Sequence, residues 1–459
     1  MNLNQILDAS EYDAFQKALQ SFSDRSVRLH VNRMETVLPF AVTEVPWYAC
    51  GRFLVDSKIR PASFLNYATA DYYIQDAASL LPLALLDLQP TDKVCDLCAS
   101  PGGKASAIAE RLGPHGFLLA NESIRSRVDV LRYALAKTGN PSFAVSSYDP
   151  DDLASQMPQA FDAVLVDAPC SGQTLVGRNK RDDNAFSENQ IEHCALRQQR
   201  ILQSAIRMLK PGGRLVYSTC TFAMEENESQ IQWLMKQFPD AWEPIGPKSL
   251  EPWRSPIQAG CYRLWPHRDR CAGGFAAGLR LVKEIDFEPT ALNSRIGKHR
   301  ELSVGKAKQK MEIEKQKRVH EMLDMLGEFS HVTTEWQKGF AQCMTPGVED
   351  TMERYSVVAM EPMAVLIESG NHFVPTQGLA LLDDAFFVPH RRLELSTEQA
   401  KFFAGGASVA IVPSEVQLHS QTLSGWAVAN WNGRGLGWCK VLSNRLNNHL
   451  PPWARLRME

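Results

Sequence analysis

The sequence predicts an α/β protein built on a doubly wound parallel sheet, with a small α/β module before it and a β-rich module after it. Three observations lead there. Strand-like and helix-like patterns alternate from residue 71 to about 285, as βαβ units do. Three of the strand-like runs end in segments rich in Gly, Pro, Ser and Cys rather than in plain turns. From about residue 331 the pattern becomes β-rich and Gly-punctuated, as in Gly425-Trp426-Ala427-Val428-Ala429.

Composition sets the limits. A chain of 459 residues is too long for one compact unit. A hydrophobic fraction of 44% and a charged fraction of 22% fit ordinary globular protein. The sequence holds no apolar run of the ~18 residues that a bilayer span needs, and Met1-Asn2-Leu3-Asn4 does not begin a secretory signal. The expectation is a cytoplasmic protein with no membrane partner. Ten cysteines without paired spacing point to reduced thiols rather than a disulfide framework. The net charge of −3 gives no general attraction to nucleic acid, but local patches differ. Between Arg295 and Arg318 nine basic residues face three acids, and Arg434, Lys440, Arg445, Arg455 and Arg457 precede the final Glu459. A solvated helix face and a solvated tail are the plain alternatives.

The elements follow in order. Residues 1–70 mix a short amphipathic helix (Ile6, Leu7, Phe15, Leu19) with strand-like Val27-Arg28-Leu29-His30-Val31, punctuated by Pro39, Pro46 and Pro61. Residues 71–285 carry the alternation. A helix over Ala77–Leu86 precedes a strand at Lys93–Leu97. Then come a helix from Lys104 to Leu112, a strand at Phe117–Ala120, a helix from Arg127 to Lys137 and a strand at Ser142–Val145. A strand at Ala163–Val166, a long helix from Ile191 to Leu209 and a strand at Arg214–Tyr217 complete the set. Lys210-Pro211-Gly212-Gly213 reads as a helix stop and turn. Gly273 to Val282 is suited to an edge strand pair. Residues 286–370 read as a basic linker with one helix and an intermediate segment, and residues 371–459 as the β-rich C-terminal module.

In an open parallel sheet, sites collect at the carboxyl ends of the strands. The first such end opens into Cys98-Ala99-Ser100-Pro101-Gly102-Gly103-Lys104. Adjacent glycines permit close backbone approach, and the helix start offers free N–H groups. The loop is neither Gly-x-x-x-x-Gly-Lys-Ser/Thr nor Gly-x-Gly-x-x-Gly, which disfavours a nucleoside triphosphate. The next ends carry Glu122, placed to take ribose hydroxyls, then Asp149 and Asp167. Each acid alone reads as a surface carboxylate; the ordered set does not. Cys95 and Cys98 lack a second pair or a His at ligand spacing, so no metal site is expected. Cys170, in Asp167-Ala168-Pro169-Cys170-Ser171-Gly172, and Cys220, in Ser218-Thr219-Cys220-Thr221-Phe222, each follow a strand. Two thiols opening into one cleft beside a cofactor loop point to covalent catalysis on an electrophilic ring.

These motifs, with Leu209-Lys210-Pro211-Gly212-Gly213-Arg214-Leu215-Val216-Tyr217 and Glu225-Glu226-Asn227-Glu228, resemble the signatures of the Sun/Nop class of RNA cytosine-5 methyltransferases. Leu38-Pro39-Phe40, Val45-Pro46-Trp47, Tyr72-Tyr73-Ile74-Gln75-Asp76 and the tail from Gly435 to Asn448 with Leu450-Pro451 are similar to the bacterial RsmF type, which acts on small-subunit ribosomal RNA. Ser100 stands where the class usually has Ala. Gly177-Arg178-Asn179-Lys180-Arg181-Asp182-Asp183 lacks the usual Pro, Phe186-Ser187 replaces Trp-Ser, and Phe64 to Ala68 lacks the usual His residues.

The resemblance implies a Rossmann-like class I methyltransferase core, an N-terminal RNA-recognition module and a PUA-like C-terminal RNA-binding module. It implies S-adenosylmethionine as cofactor, held by Cys98 to Lys104, Glu122, Asp149 and Asp167. Cys220 is then the nucleophile that adds to carbon 6 of cytosine, Asp167 stabilises the adduct, and Cys170 assists release. The expected partner is ribosomal RNA or the small subunit, and the expected state a monomer. Transfer RNA as substrate, and a non-catalytic ribosome-assembly factor, are the alternatives. A DNA cytosine methyltransferase would instead make Cys170, in its Pro-Cys context, the essential thiol.

Overall fold

Parallel strands form the middle of the protein, and their burial explains their sequences. The computed structural model describes residues 3, 6–21, 24–178, 183–285, 287, 306–337, 339–411 and 425–457. Strands β1 (Lys93–Asp96), β2 (Phe117–Asn121), β3 (Phe143–Ser146), β4 (Phe161–Asp167) and β5 (Leu209–Thr219) pair in parallel in the order β5-β4-β1-β2-β3. Both faces are covered, so these strands read as nearly continuous apolar runs instead of alternating ones. Alternation reappears in what each residue packs against. Val94, Leu118, Ala120, Leu165 and Val216 enter one core, while Cys95, Phe117, Leu119, Val164, Val166, Leu215 and Tyr217 enter the other. Helices α1 (Gly103–Ala109) and α2 (Val128–Leu135) supply the first core; α3 (Pro150–Gln156), α4 (Glu188–Met208) and α5 (Glu228–Gln237) supply the second. Cys95 is a packed thiol in that second core.

Strand order reverses between β1 and β4. The chain steps outward from β1 through β2 to β3, then returns to lay β4 and β5 on the other side. Ligand sites form outside the carboxyl ends at such a switch point. Strand β6 (Gly274–Leu281) pairs antiparallel with β5, and Trp242–Pro244 and Cys261–Leu264 pair with β6 in turn, so the glycine-led segment gives one strand inside the sheet and not the edge pair expected of it.

Several elements depart from expectation. Helices α3 and α5 are not anticipated; α3 is short and rich in Asp, and α5 follows an acidic run. Lys210-Pro211-Gly212-Gly213 does stop α4, but it then runs on inside β5, where the register to β4 shifts between Phe161 and Ala163. The segment before 370 is more than a linker. Strand Glu361–Ser369 pairs with β3 through Glu361–Val145 and Pro362–Ala144, and Phe340–Met344 and Thr333–Gln337 extend the sheet from there. Helix α6 (Lys306–Leu326) precedes them. Arg295, Lys298 and Arg300 of the basic run lie outside the described residues, as do Asn179 to Asp182.

The N-terminal sheet is ordered Val42–Glu44, Gly51–Leu54, Ser26–Leu29, Tyr72–Ile74, so its last strand falls just beyond residue 70. The helix Ala9–Ser21 leaves that sheet to pack on the domain of the parallel strands: Phe15 meets Phe222 edge-on at 4.7 Å, and Phe222 stacks on Trp265. The C-terminal module is a five-stranded sheet built around Gly425–Trp431 and Arg434–Val441, with its own core of Leu393, Phe403, Ala427, Leu436 and Leu446.

Candidate active site

Parallel pairing brings the two thiols together. Asp167 ends β4 opposite Ser218 near the end of β5. The chain then leaves both strands in the same direction, and Cys170 and Cys220 meet with their sulfurs 3.0 Å apart. Both are free thiols, partly buried, at a separation suited to an S–H···S hydrogen bond. The hydrogen bond splits the pair. It raises the Cys170 pKa well above the ordinary thiol value, aided by burial, and it lowers that of Cys220. Burial and the Asp167 charge oppose the lowering at Cys220, while Lys104 favours it. The contact therefore favours the proton on Cys170 and makes Cys220 the more readily ionised thiol of the pair.

Lys104 and Asp167 lie beside this pair. The Lys104 ammonium donates to Asp167 Oδ2 at 2.7 Å, and Ser218 Oγ donates to Oδ1 at 2.8 Å. Burial disfavours the ammonium, but the neighbouring carboxylate outweighs it and the Lys104 pKa is raised. Lys104, assigned from sequence to the cofactor loop, thus sits as the cation that acts on Cys220.

A buried carboxylate clamps the two cysteine loops. Glu226, 0% exposed, accepts from the Ser171 backbone N–H at 2.9 Å, from Ser171 Oγ and from Gln198 Nε2 at 2.9 Å. Thr221 Oγ1 lies 3.4 Å away and also contacts Ser171 Oγ at 2.8 Å. Asn227 ties Thr219 to the Thr221 carbonyl, and Glu228 takes the buried Arg263 guanidinium. Gln173 accepts from the Phe222 N–H at 2.9 Å. None of these residues is given a site role by the sequence, which offers Glu225 to Glu228 only as an acidic run. Its only signal there is its place in the resembling motif.

The other strand ends hold the acids. Asp96 is 1% exposed and neither carboxylate oxygen has a hydrogen-bond partner. Burial, with the Asp167 charge behind it, pushes its pKa up to about 8. Glu122, 3% exposed, accepts from the Ile124 N–H at 2.9 Å and pairs with Arg127 at 3.2 Å. Asp149 caps α3 through the Asp151 N–H and meets Arg200 at 3.2 Å. Asn121, not singled out from sequence, pins these ends: its amide donates to the Leu97 and Tyr148 carbonyls and accepts from Ser146 Oγ and the Tyr148 N–H.

Packing places its own demand on the loop glycines. Gly102 has φ +108°, and a Cβ there would lie 2.4 Å from the Ala134 Cβ. Its bareness serves the packing of α1 against α2. Within the loop, Cys98 is partly buried, and its thiol pKa is pushed up first by desolvation and then by Asp96. The Ala99 N–H donates to the Asn121 carbonyl, Ser100 exchanges hydrogen bonds with Arg127, and Pro101 follows a cis bond. Gly103 starts α1 against Gln75 and Tyr73.

Comparison with known proteins agrees with this geometry. Residues 83–280 match the family described as 16S rRNA methyltransferase RsmB/F, and residues 390–456 match the methyltransferase RsmF PUA domain. The chain is 30% identical over 460 residues to ribosomal RNA small subunit methyltransferase F of Klebsiella pneumoniae strain 342, covering 96% of this chain and 92% of that protein. It is 35% identical over 297 residues to the protein of the same name from Enterobacter sp. strain 638, covering 61% of each chain. Among solved structures, a methyltransferase homolog protein from Pyrococcus horikoshii superposes with a TM-score of 0.51 at 28% identity, over 58% of this chain and 90% of that one.

Proposed function

We propose, from the premise that this chain belongs to the RsmB/F family of 16S rRNA methyltransferases, that it methylates carbon 5 of a cytosine in small-subunit ribosomal RNA through a covalent bond to Cys220. The observation that carries this assignment of roles is the Cys170–Cys220 contact of 3.0 Å at the ends of adjacent parallel strands.

The residues fit S-adenosylmethionine. Its ammonium, ribose hydroxyls and adenine amine are all donors, and the strand ends offer acceptors: Asp96, Glu122, Asp149 and Asp167. The two unpartnered oxygens of buried Asp96 are the clearest match to a cationic ligand. Cys98 to Lys104 would line the same side. When bound, this cofactor supplies an electrophilic methyl group on a cationic sulfur.

The protein's own part begins at Cys220. An unperturbed thiol is only ~3% ionised at pH 7, a penalty of ~2 kcal/mol. The hydrogen bond from Cys170 and the charge of Lys104 reduce it. The Cys220 sulfur adds to carbon 6 of the ring, and the displaced electron pair makes carbon 5 nucleophilic. Asp167 accepts from the exocyclic amine with the lone pairs that Lys104 and Ser218 leave free, and the Lys104 ammonium beside it supplies the positive charge that opposes the negative charge developing at ring nitrogen 3. Once Cys220 is a thioether, Cys170 loses the partner that held its pKa up most. It is then free to ionise and to take the carbon 5 proton as the carbon–sulfur bond breaks. A paired base cannot reach such a cleft, so the target is unpaired or flipped out. We take the enzyme to act as a monomer in the cytoplasm. No helix among the described residues is long and apolar enough to cross a membrane.

Bisulfite sequencing of ribosomal RNA from cells with and without the gene tests the reaction. One protected cytosine is expected to vanish on deletion. Cys220→Ala is expected to fail to restore it, and Cys170→Ala to accumulate a denaturation-resistant protein–RNA adduct. Full methylation by Cys220→Ala, or loss of the adduct-forming thiol with Cys170 instead, would overturn the assignment.

A further inference from the structure

A second groove lies away from the cysteines, and none of its lining residues belongs to the catalytic cleft. Helix α6 forms one wall with Arg318, Met322 and Met325. The hairpin that follows Glu361–Ser369 supplies His372 and Phe373, and the C-terminal sheet supplies Trp426, Lys440 and His449. Its volume is about 480 Å³.

The lining is aromatic and cationic. The Arg318 guanidinium lies 5.4 Å from the centre of the Phe373 ring, and the Lys440 ammonium 4.9 Å from that of Trp426. His449 meets Trp426 edge-on at 4.5 Å. Among the described residues neither Arg318 nor Lys440 has a carboxylate partner; Arg318 donates to the Asn371 carbonyl at 2.8 Å. The one acid of the lining, Glu321, faces Lys317 at 3.9 Å. The groove thus presents uncompensated positive charge beside two ring faces.

Two features far apart in sequence converge here. The basic run that ends at Arg318 and the basic tail that contains Lys440 meet across one cavity. The tryptophans of the C-terminal module also sort themselves. Trp438 is 2% exposed and donates to the Thr376 carbonyl, Trp431 donates to Thr397, and Trp453 stacks on Tyr133. Trp426 is half-buried and lines the groove.

We infer that this groove holds a short single-stranded segment of the substrate RNA, with bases on Trp426 and Phe373 and phosphates at Arg318 and Lys440. The inference rests on the reading of the protein as a ribosomal RNA methyltransferase and names a second contact for that substrate. Flat rings in a groove serve unstacked bases, which duplex RNA does not offer. Exposed Met325 adds an adaptable apolar edge.

The test is fluorescence anisotropy with full-length protein, using a labelled single-stranded RNA decamer and the same decamer annealed to its complement. Trp426→Ala is expected to weaken single-strand binding by about tenfold and to leave duplex binding unchanged. The exposed double variant Arg318→Gln/Lys440→Gln, which does not disturb the sheet core, is expected to lower the slope of log affinity against log salt by about 1.4. A single-strand affinity of Trp426→Ala within about twofold of wild type, together with a salt slope of the double variant that does not fall, would overturn the groove. Methylation of ribosomal RNA by wild-type protein is followed in parallel. If it proceeds while the variants bind normally, the groove inference fails alone; if wild type neither binds nor methylates RNA, both readings fail.

Discussion

The carboxyl edge of the central sheet has two halves built on opposite plans. At β4 and β5 the groups that hold the thiols are partnered, Gln198 Oε1 excepted: Asp167 by Lys104 and Ser218, Glu226 by Ser171, Gln198 and Thr221, and Cys220 by Cys170. At β1, Asp96 is as deeply buried, yet both its oxygens are unmatched. The first half is set before any substrate arrives, and preorganised groups need no rearrangement as charge develops. The second leaves a buried acid neutral until a cation arrives to pair with it. One half stores geometry, the other stores affinity.

The largest way to break the contrast is to empty the clamp. Glu226→Ala leaves the Ser171 N–H buried without its acceptor, at ~1–3 kcal/mol, and leaves Gln198 with the Pro169 carbonyl alone. The cysteine loops then lose their common anchor. A fall of ~100-fold or more in kcat is expected, with KM for the cofactor little changed, since misplacing reacting groups by ~1 Å costs on that order. Glu226→Gln is expected to do little better. The principal partners of Glu226 are donors, and an amide turns one acceptor into a further donor. Alkylation of Cys220 by iodoacetamide provides the readout that a merely structural role would leave alone: its pH dependence moves to higher pH if the Cys170 contact loosens. An unchanged alkylation profile in a folded variant would show that the clamp does not set the thiol pair.

This clamp also marks where the sequence stops being legible. The doubly wound sheet, its strand ends, the two thiols and Asp167 were all readable, because parallel strands are long apolar runs and motif residues sit at their ends. Glu226, Asn227 and Glu228 were not readable as buried, since three polar residues in an acidic run normally face water. Only the pairing with Ser171, Thr219 and Arg263, each brought in by another element, pays their desolvation. Strand Glu361–Ser369 escaped for a related reason. It joins the sheet next to β3 although hundreds of residues separate them, and no local pattern encodes that neighbour. Gly102 carries a demand that no local pattern shows: its missing side chain leaves room for Ala134.

A smaller effect is expected at the bridge between the halves. Lys104 lies on α1 of the cofactor side but supports Cys220 and Asp167 on the other. Lys104→Met removes the cation that favours the thiolate, so the Cys220 pKa rises. The acidic limb of the rate–pH profile is expected to move to higher pH, with a several-fold loss at neutral pH that higher pH partly restores. A uniform loss at every pH would assign Lys104 to cofactor binding alone.

The smallest expected change in activity, and the most direct check on the open half, comes from Asp96→Asn. The folded pKa of about 8 lies above the ordinary carboxyl value of 3.8, so between these values the folded protein holds a proton that the unfolded chain has lost. Stability therefore falls as pH rises from about 4 to about 8, by at most ~1.4 kcal/mol per pH unit. Asparagine cannot ionise and removes that slope. The variant is expected to melt at or above the wild-type temperature at pH 8 while binding the cofactor several-fold more weakly. Wild-type cofactor affinity is expected to strengthen as pH rises toward 8, because a cationic ligand draws the proton off Asp96; the variant is expected to lack this rise. Calorimetric titration at pH 6 and pH 8 separates the cases. A wild-type affinity that is flat between them would mean that Asp96 is buried for packing alone, and the two halves of the edge would then differ in residues but not in plan.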